Sequence, residues 1–123
     1  MKRLYLLLLI GNLSCSGITK IEIPDKVVDL GLYPEDSSAK AYFLIKNIGA
    51  NTLTILDVQP DCYCTTVTMS RKEIPSGEST LLTASYDNSA IGAFQHTVVV
   101  KANVENGSFV LTFRGKVKQN NDG

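Results

Sequence analysis

The sequence predicts an all-β fold, an immunoglobulin-like antiparallel β-sandwich of about seven strands, and three observations support it. From Ile18 to Val117 apolar and polar residues alternate with a period near two. Gly, Pro, Asn or Asp breaks that alternation about every 8–12 residues, the spacing of short strands joined by turns. No window carries a sustained helical stripe. The chain has 123 residues, 44% of them hydrophobic and 20% charged, which supplies one core and excludes two full domains. Its 12 basic and 12 acidic side chains balance, and no cluster of Lys and Arg appears. A protein that tracks a phosphate backbone would be clearly basic, so nucleic acid is not an expected partner.

Each element follows from local chemistry. Ile21 and Ile23 alternate up to Pro24, and Val27-Val28-Asp29-Leu30 runs to Gly31. Together they read as two halves of one edge strand, broken where Pro24 lacks a ladder donor. Ala41, Phe43 and Ile45 share one face of the next strand, which ends in the turn-forming Asn47-Ile48-Gly49-Ala50-Asn51. Leu53 and Ile55 begin the return. Beyond Pro60-Asp61, the β-branched run Thr65-Thr66-Val67-Thr68 predicts another strand. Ile74-Pro75-Ser76-Gly77 is a turn, because proline presets one central dihedral and glycine accepts positive φ. Leu82, Ala84 and Tyr86 alternate in a strand closed by Asp87-Asn88, and Phe94, His96, Val98 and Val100 fall on one side of the next. Asn106-Gly107 predicts a tight type I′ hairpin, with Phe109, Leu111 and Phe113 facing one way beyond it.

The N-terminus has a different character. Met1-Lys2-Arg3 precedes the apolar run Leu4-Tyr5-Leu6-Leu7-Leu8-Leu9-Ile10, and small and polar residues follow through Gly17. That is the layout of a secretory signal, and a membrane-spanning helix would need about 20 apolar residues. Leu13-Ser14-Cys15-Ser16-Gly17 resembles the lipobox of bacterial lipoproteins, with Ser14 immediately before a cysteine that would carry the lipid. Asn12 stands where that motif usually has leucine, and plain cleavage near Ser14 or Ser16 is the competing reading. The expected division is a leader over 1–14, an anchor segment and first strand over 15–26, the sandwich over 27–117 and a disordered tail over 118–123. Without Lys2 and Arg3, 10 basic side chains face 12 acidic ones, a net charge of −2.

If Cys15 carries lipid, Cys62 and Cys64 remain, one residue apart in an oxidising compartment. In an extended strand their Cα atoms would lie about 6.6 Å apart, so a bridge requires a bend. The closed loop is short, and chain entropy gives such a bridge only about 1.6 kcal/mol. Three readings stay open: a local disulfide or packed thiols shaping a corner, a labile disulfide, and capture of a soft ion such as Cu(I) by two thiolates. A closed zinc site lacks ligands within the chain. His96, the single histidine, reads as a partly exposed strand-end residue, and nothing in the sequence places it near Cys62. No glycine-bracketed serine elbow is present, and the acidic residues, Glu35-Asp36 and Asp87 among them, read as solvated loops.

Several fragments in a fixed order are specific: Phe43-Leu44-Ile45-Lys46-Asn47-Ile48-Gly49, Leu53-Thr54-Ile55-Leu56-Asp57-Val58, Cys62-Tyr63-Cys64-Thr65, Ile74-Pro75-Ser76-Gly77, Tyr86-Asp87, Gly92-Ala93-Phe94 and Arg114-Gly115-Lys116-Val117. Together they resemble the bacterial family known as domain of unknown function 1573, and more loosely the sandwich modules of major sperm protein and cilium-associated proteins. The resemblance implies an immunoglobulin-like fold in an exported, often lipid-anchored protein, and no established activity. That family usually has glycine between the two cysteines. Tyr63 stands there in this chain, and it would be strained if the position required positive φ.

These readings converge on a non-enzymatic module of the cell envelope, held to the membrane by lipid on Cys15 and binding another envelope protein. Its expected contact surfaces are the loop carrying Pro60, Asp61, Tyr63 and Thr65 and the first edge strand. No cofactor is expected. The alternative is a Cu(I)-binding or thiol-redox protein acting through Cys62 and Cys64.

Overall fold

Alternation turns into burial most plainly in β3 (Ala39–Asn47), where every second side chain from Ala39 to Asn47 is buried and those between face solvent. The computed structural model describes residues 17–34, 38–87 and 90–119. The leader, Cys15, Glu35-Asp36, Asn88 and the tail beyond Gln119 lie outside the described residues.

Among the described residues, nine strands form two sheets. The first has the order β1 (Ile21–Glu22), β3, β7 (Ser79–Tyr86), β5 (Thr65–Met69). The second has the order β2 (Val27–Pro34), β9 (Ser108–Lys118), β8 (Gly92–Ala102), β4 (Leu53–Pro60), β6 (Glu73–Ile74). Register places the apolar faces opposite one another: Phe43 pairs with Leu82 across β3 and β7, and Val98 pairs with Leu111 across β8 and β9. Phe43, Ile45, Leu53, Ile74, Val98, Val100 and Phe113 fill the space between the sheets. This is the predicted sandwich, and two of its nine strands are only two residues long.

The structure departs from the sequence reading in its connections. Ile21 and Val27 do not belong to one edge strand. β1 pairs with β3 in the first sheet and β2 with β9 in the second, so the chain changes layers around Pro24. β2 runs parallel to β9, the one parallel pair among the described strands. It also continues past Gly31, whose φ of +74° lies at an irregularity between Asp29 and Leu32. Asn106 and Gly107 have the predicted positive φ, 71° and 78°. They do not close a two-residue hairpin, because the ladder ends at Lys101–Ser108 and buried Val104 is drawn into the core between them. At the other side of the molecule, β9 extends through Lys118, which pairs with Pro34, one residue past the expected boundary.

Candidate functional site

The Cys62–Cys64 turn is the place where the chain leaves one sheet for the other. Beyond Pro60, β4 continues its ladder by one bond, from Asp61 N–H to Thr97 O at 3.0 Å. The Asp61 carboxylate returns the contact, its Oδ2 accepting the Thr97 N–H at 3.1 Å. The chain then bends, and three hydrogen bonds hold the bend: Cys64 N–H to the side-chain Cys62 Sγ at 3.0 Å, and the backbone bonds Thr65 N–H to Cys62 O at 3.2 Å and Asp87 N–H to Cys64 O at 2.9 Å. The bend brings the two Cα atoms to 5.1 Å, and the sulfurs form a disulfide. The required bend is therefore present, and it is the crossover from β4 to β5.

His96 lies beside it. Its position on β8, in phase with Phe94 and Val98, turns the ring inward at the end of the sandwich, against Tyr86 and Phe113 with centroids 4.9 and 5.9 Å away. Nε2 lies 3.9 Å from Cys64 Sγ and Nδ1 lies 2.9 Å from Asp61 Oδ1. An ionised carboxylate only accepts, so Nδ1 carries a proton and, in the neutral ring, the Nε2 lone pair faces sulfur. The sequence reading missed this. Cys64 and His96 are 32 residues apart, and only the register that sets Pro60 opposite Val98 brings them together.

The other expected site residues divide. Tyr63 is fully exposed at the tip of the turn, with a relative exposure of 108%. Pro60 ends β4, and Asp61 is committed to His96 and Thr97. Thr65 opens β5 and is buried, and its Oγ1 has no partner among the described residues. Tyr63 also escapes the expected strain, because Asn106 is the one non-glycine with positive φ among the described residues. Cys62, Tyr63, Asp61, Val58, Thr65 and His96 line a shallow cavity open to solvent. The two Sγ atoms and a His96 ring nitrogen lie within 4.8 Å of one another, a donor set suited to a soft ion once the sulfurs are thiolates. In the disulfide form neither sulfur is a thiolate, so the ligand set exists only after reduction.

The fold has known counterparts. A protein of unknown function from Porphyromonas gingivalis W83 superposes with a TM-score of 0.73 at 20% identity, over 87% of this chain and 50% of that one. The VesB protease of Vibrio cholerae gives 0.63 at 20% identity, over 80% of this chain and 31% of that one. A PapD-like domain of human CEP192 gives 0.62 at 11% identity, over 96% of this chain and 99% of that domain. The chain thus spans half or less of the first two proteins, and at these identities the likeness is one of fold. No curated protein matches the sequence significantly. The family described as protein of unknown function (DUF1573) matches residues 21–117, and the chain belongs to it.

Proposed function

We propose that this protein is a non-enzymatic, exported binding module of the cell envelope, tethered to a membrane by lipid on Cys15, that presents Tyr63 to another envelope protein. The observation that carries the reading is a fully exposed tyrosine on a turn pinned by a disulfide and by backbone hydrogen bonds. Tyrosine gives a large amphipathic contact at low entropic cost, and a turn already fixed loses little more on binding.

The strand directions support the tether. Gly17 O and Ile18 O accept from Asn103 Nδ2 and Asn51 Nδ2, which ties the N-terminal segment to the loops before β4 and after β8. β4 carries eight residues from that end to the Cys62 turn, and at ~3.3 Å per residue the two ends lie about 25 Å apart. Lipid on Cys15 would hold the asparagine-rich end at the bilayer and point Tyr63 away from it. Several acyl chains give stable anchoring where a single chain does not.

The test is a photo-crosslinking amino acid placed at position 63 and, as control, at exposed Leu81, in cells that process the leader. Position 63 should yield a discrete crosslinked protein and position 81 none. Equal patterns from both positions would remove the docking role. The intact mass of the processed protein reads the lipid on Cys15 independently.

A further inference from the structure

We infer that the Cys62–Cys64 disulfide is a thiol–disulfide exchange centre in which Cys62 is the attacked sulfur, Cys64 the leaving sulfur and His96 its proton partner. The two sulfurs are not equivalent. Cys62 lines the open cavity beside Tyr63, whereas Cys64 packs against the apolar core with His96 Nε2 at 3.9 Å. Asp61 is a positioning residue: it holds Nδ1 at 2.9 Å and is itself fixed by the Thr97 N–H. The titratable groups facing the ring are Asp61, from the turn, and Tyr86, from β7.

A staple role explains these features poorly. The bridge closes a loop so short that it adds little stability, and the hydrogen bonds around it already hold the turn. A structural bridge has no use for a carboxylate-held imidazole against one of its sulfurs. An exchange centre does, because the rate depends on how well the departing thiolate is stabilised.

The substrate class is a dithiol, on a small molecule or on an exposed segment of another exported protein. A substrate thiolate attacks Cys62 Sγ, the Cys62–Cys64 S–S bond breaks, and its electron pair passes to Cys64 Sγ. His96 Nε2 takes up the proton that the substrate thiol loses on becoming a thiolate, and the resulting imidazolium stabilises the departing Cys64 thiolate and passes that proton to it. The second substrate thiolate then attacks the substrate sulfur of the mixed disulfide and releases Cys62 as a thiolate, which accepts the Cys64 N–H and takes up a proton. The substrate dithiol becomes a disulfide, and the protein gains two electrons and two protons. This inference goes beyond the docking reading and does not require it, since a small dithiol suffices as substrate.

The experiment is reduction of the folded, oxidised protein by dithiothreitol or millimolar glutathione, quenched by alkylation and read by mass. The wild type should react while folded and oxidise one dithiothreitol per domain. In Cys64→Ser, which has no internal bridge, the probe is oxidised glutathione: the Cys62 thiolate should attack its disulfide, form a mixed disulfide and release one reduced glutathione. Positioned proton transfer contributes about 10²–10⁴-fold at full strength, so His96→Gln should slow reduction at least about tenfold. Asp61→Asn should slow it by a smaller factor and lower the Cys64 thiolate absorbance near 240 nm, with the melting temperature unchanged; that spectral change separates positioning from a purely structural effect. Equal rates in wild type and both variants would overturn the inference, as would a pair that reacts only when the domain unfolds. A reduced wild type that holds Cu(I) against bicinchoninate far better than His96→Gln, and does not oxidise dithiothreitol, would replace exchange with a metal site.

Discussion

Replacing Asn47 with alanine should cost this domain a large part of its stability. The side chain is 1% exposed and makes four hydrogen bonds. Its Oδ1 accepts from Thr19 Oγ1 at 2.7 Å and from Gly49 N–H at 3.1 Å, and its Nδ2 donates to Ile74 O at 2.9 Å and Asn51 O at 2.8 Å. The bonds to Thr19 and Ile74 are buried, and a buried polar atom left without a partner costs about 1–3 kcal/mol. The two partly buried bonds can be replaced by water and contribute about 0.5–1 kcal/mol each. The sum is about 3–8 kcal/mol, against a total of about 5–15 kcal/mol for a domain of this kind. Urea unfolding followed by far-UV circular dichroism should show the midpoint falling by about 1.5–4 M at unchanged slope, given a slope near 2 kcal/mol/M. Asn51→Ala is the comparison: its Nδ2 makes an exposed bond to Ile18 O, so the loss should stay below about 1 kcal/mol. If Asn47→Ala also lost less than about 1 kcal/mol, the buried network would not be what joins β3 to the N-terminal segment and to Ile74.

Two further outcomes follow from the same structure. A Cβ on Gly49 would fall inside van der Waals contact of Thr19 Oγ1 and the Lys20 backbone N, so Gly49→Ala should cost about 1–3 kcal/mol by thermal melting. A variant as stable as wild type would show that the β1 approach can relax. The double substitution Cys62→Ser, Cys64→Ser should leave a folded domain about 1.6 kcal/mol less stable by urea titration, the chain-entropy value for so short a loop. A loss above about 4 kcal/mol would make the bridge a true staple and weaken the exchange reading.

Most of the fold was legible because alternation reports which face of a strand is buried, and the faces of β3, β7 and β9 came out as read. Alternation does not report the neighbouring strand. The segments around Ile21 and Val27 therefore went to different sheets, and the parallel pairing of β2 with β9 left no local trace. Asn47 read as a turn residue because its composition cue is local, whereas its partners Thr19 and Ile74 lie 28 and 27 residues away. At the site, the inward phase of His96 could be seen beside Phe94 and Val98, but its meeting with Cys64 depends on the β4–β8 register. Thr65 read both as the start of a strand and as the end of the candidate contact loop; β5 does begin there, immediately after the cysteine turn, and the Thr65 side chain is buried.

Tyr63 separates backbone chemistry from surface chemistry at the motif where the family usually has glycine. Its φ is not positive, so the turn does not require glycine and tyrosine occupies it without that penalty. Tyr63→Gly should then remove the exposed ring and add freedom to the unfolded chain, lowering stability by about 0.5–1 kcal/mol. Docking at position 63 should be lost altogether, while the reduction rate of the disulfide should stay within about twofold, because neither His96 nor Asp61 depends on the ring for its contacts. Urea titration, partner crosslinking from a neighbouring position and alkylation kinetics read the three effects separately. A glycine variant more stable than wild type by 1 kcal/mol or more would mean that the tyrosine backbone is strained after all. In that case the side chain would be retained at a cost, which would strengthen the argument for a bound partner and undercut the account of the turn given by its dihedral angles.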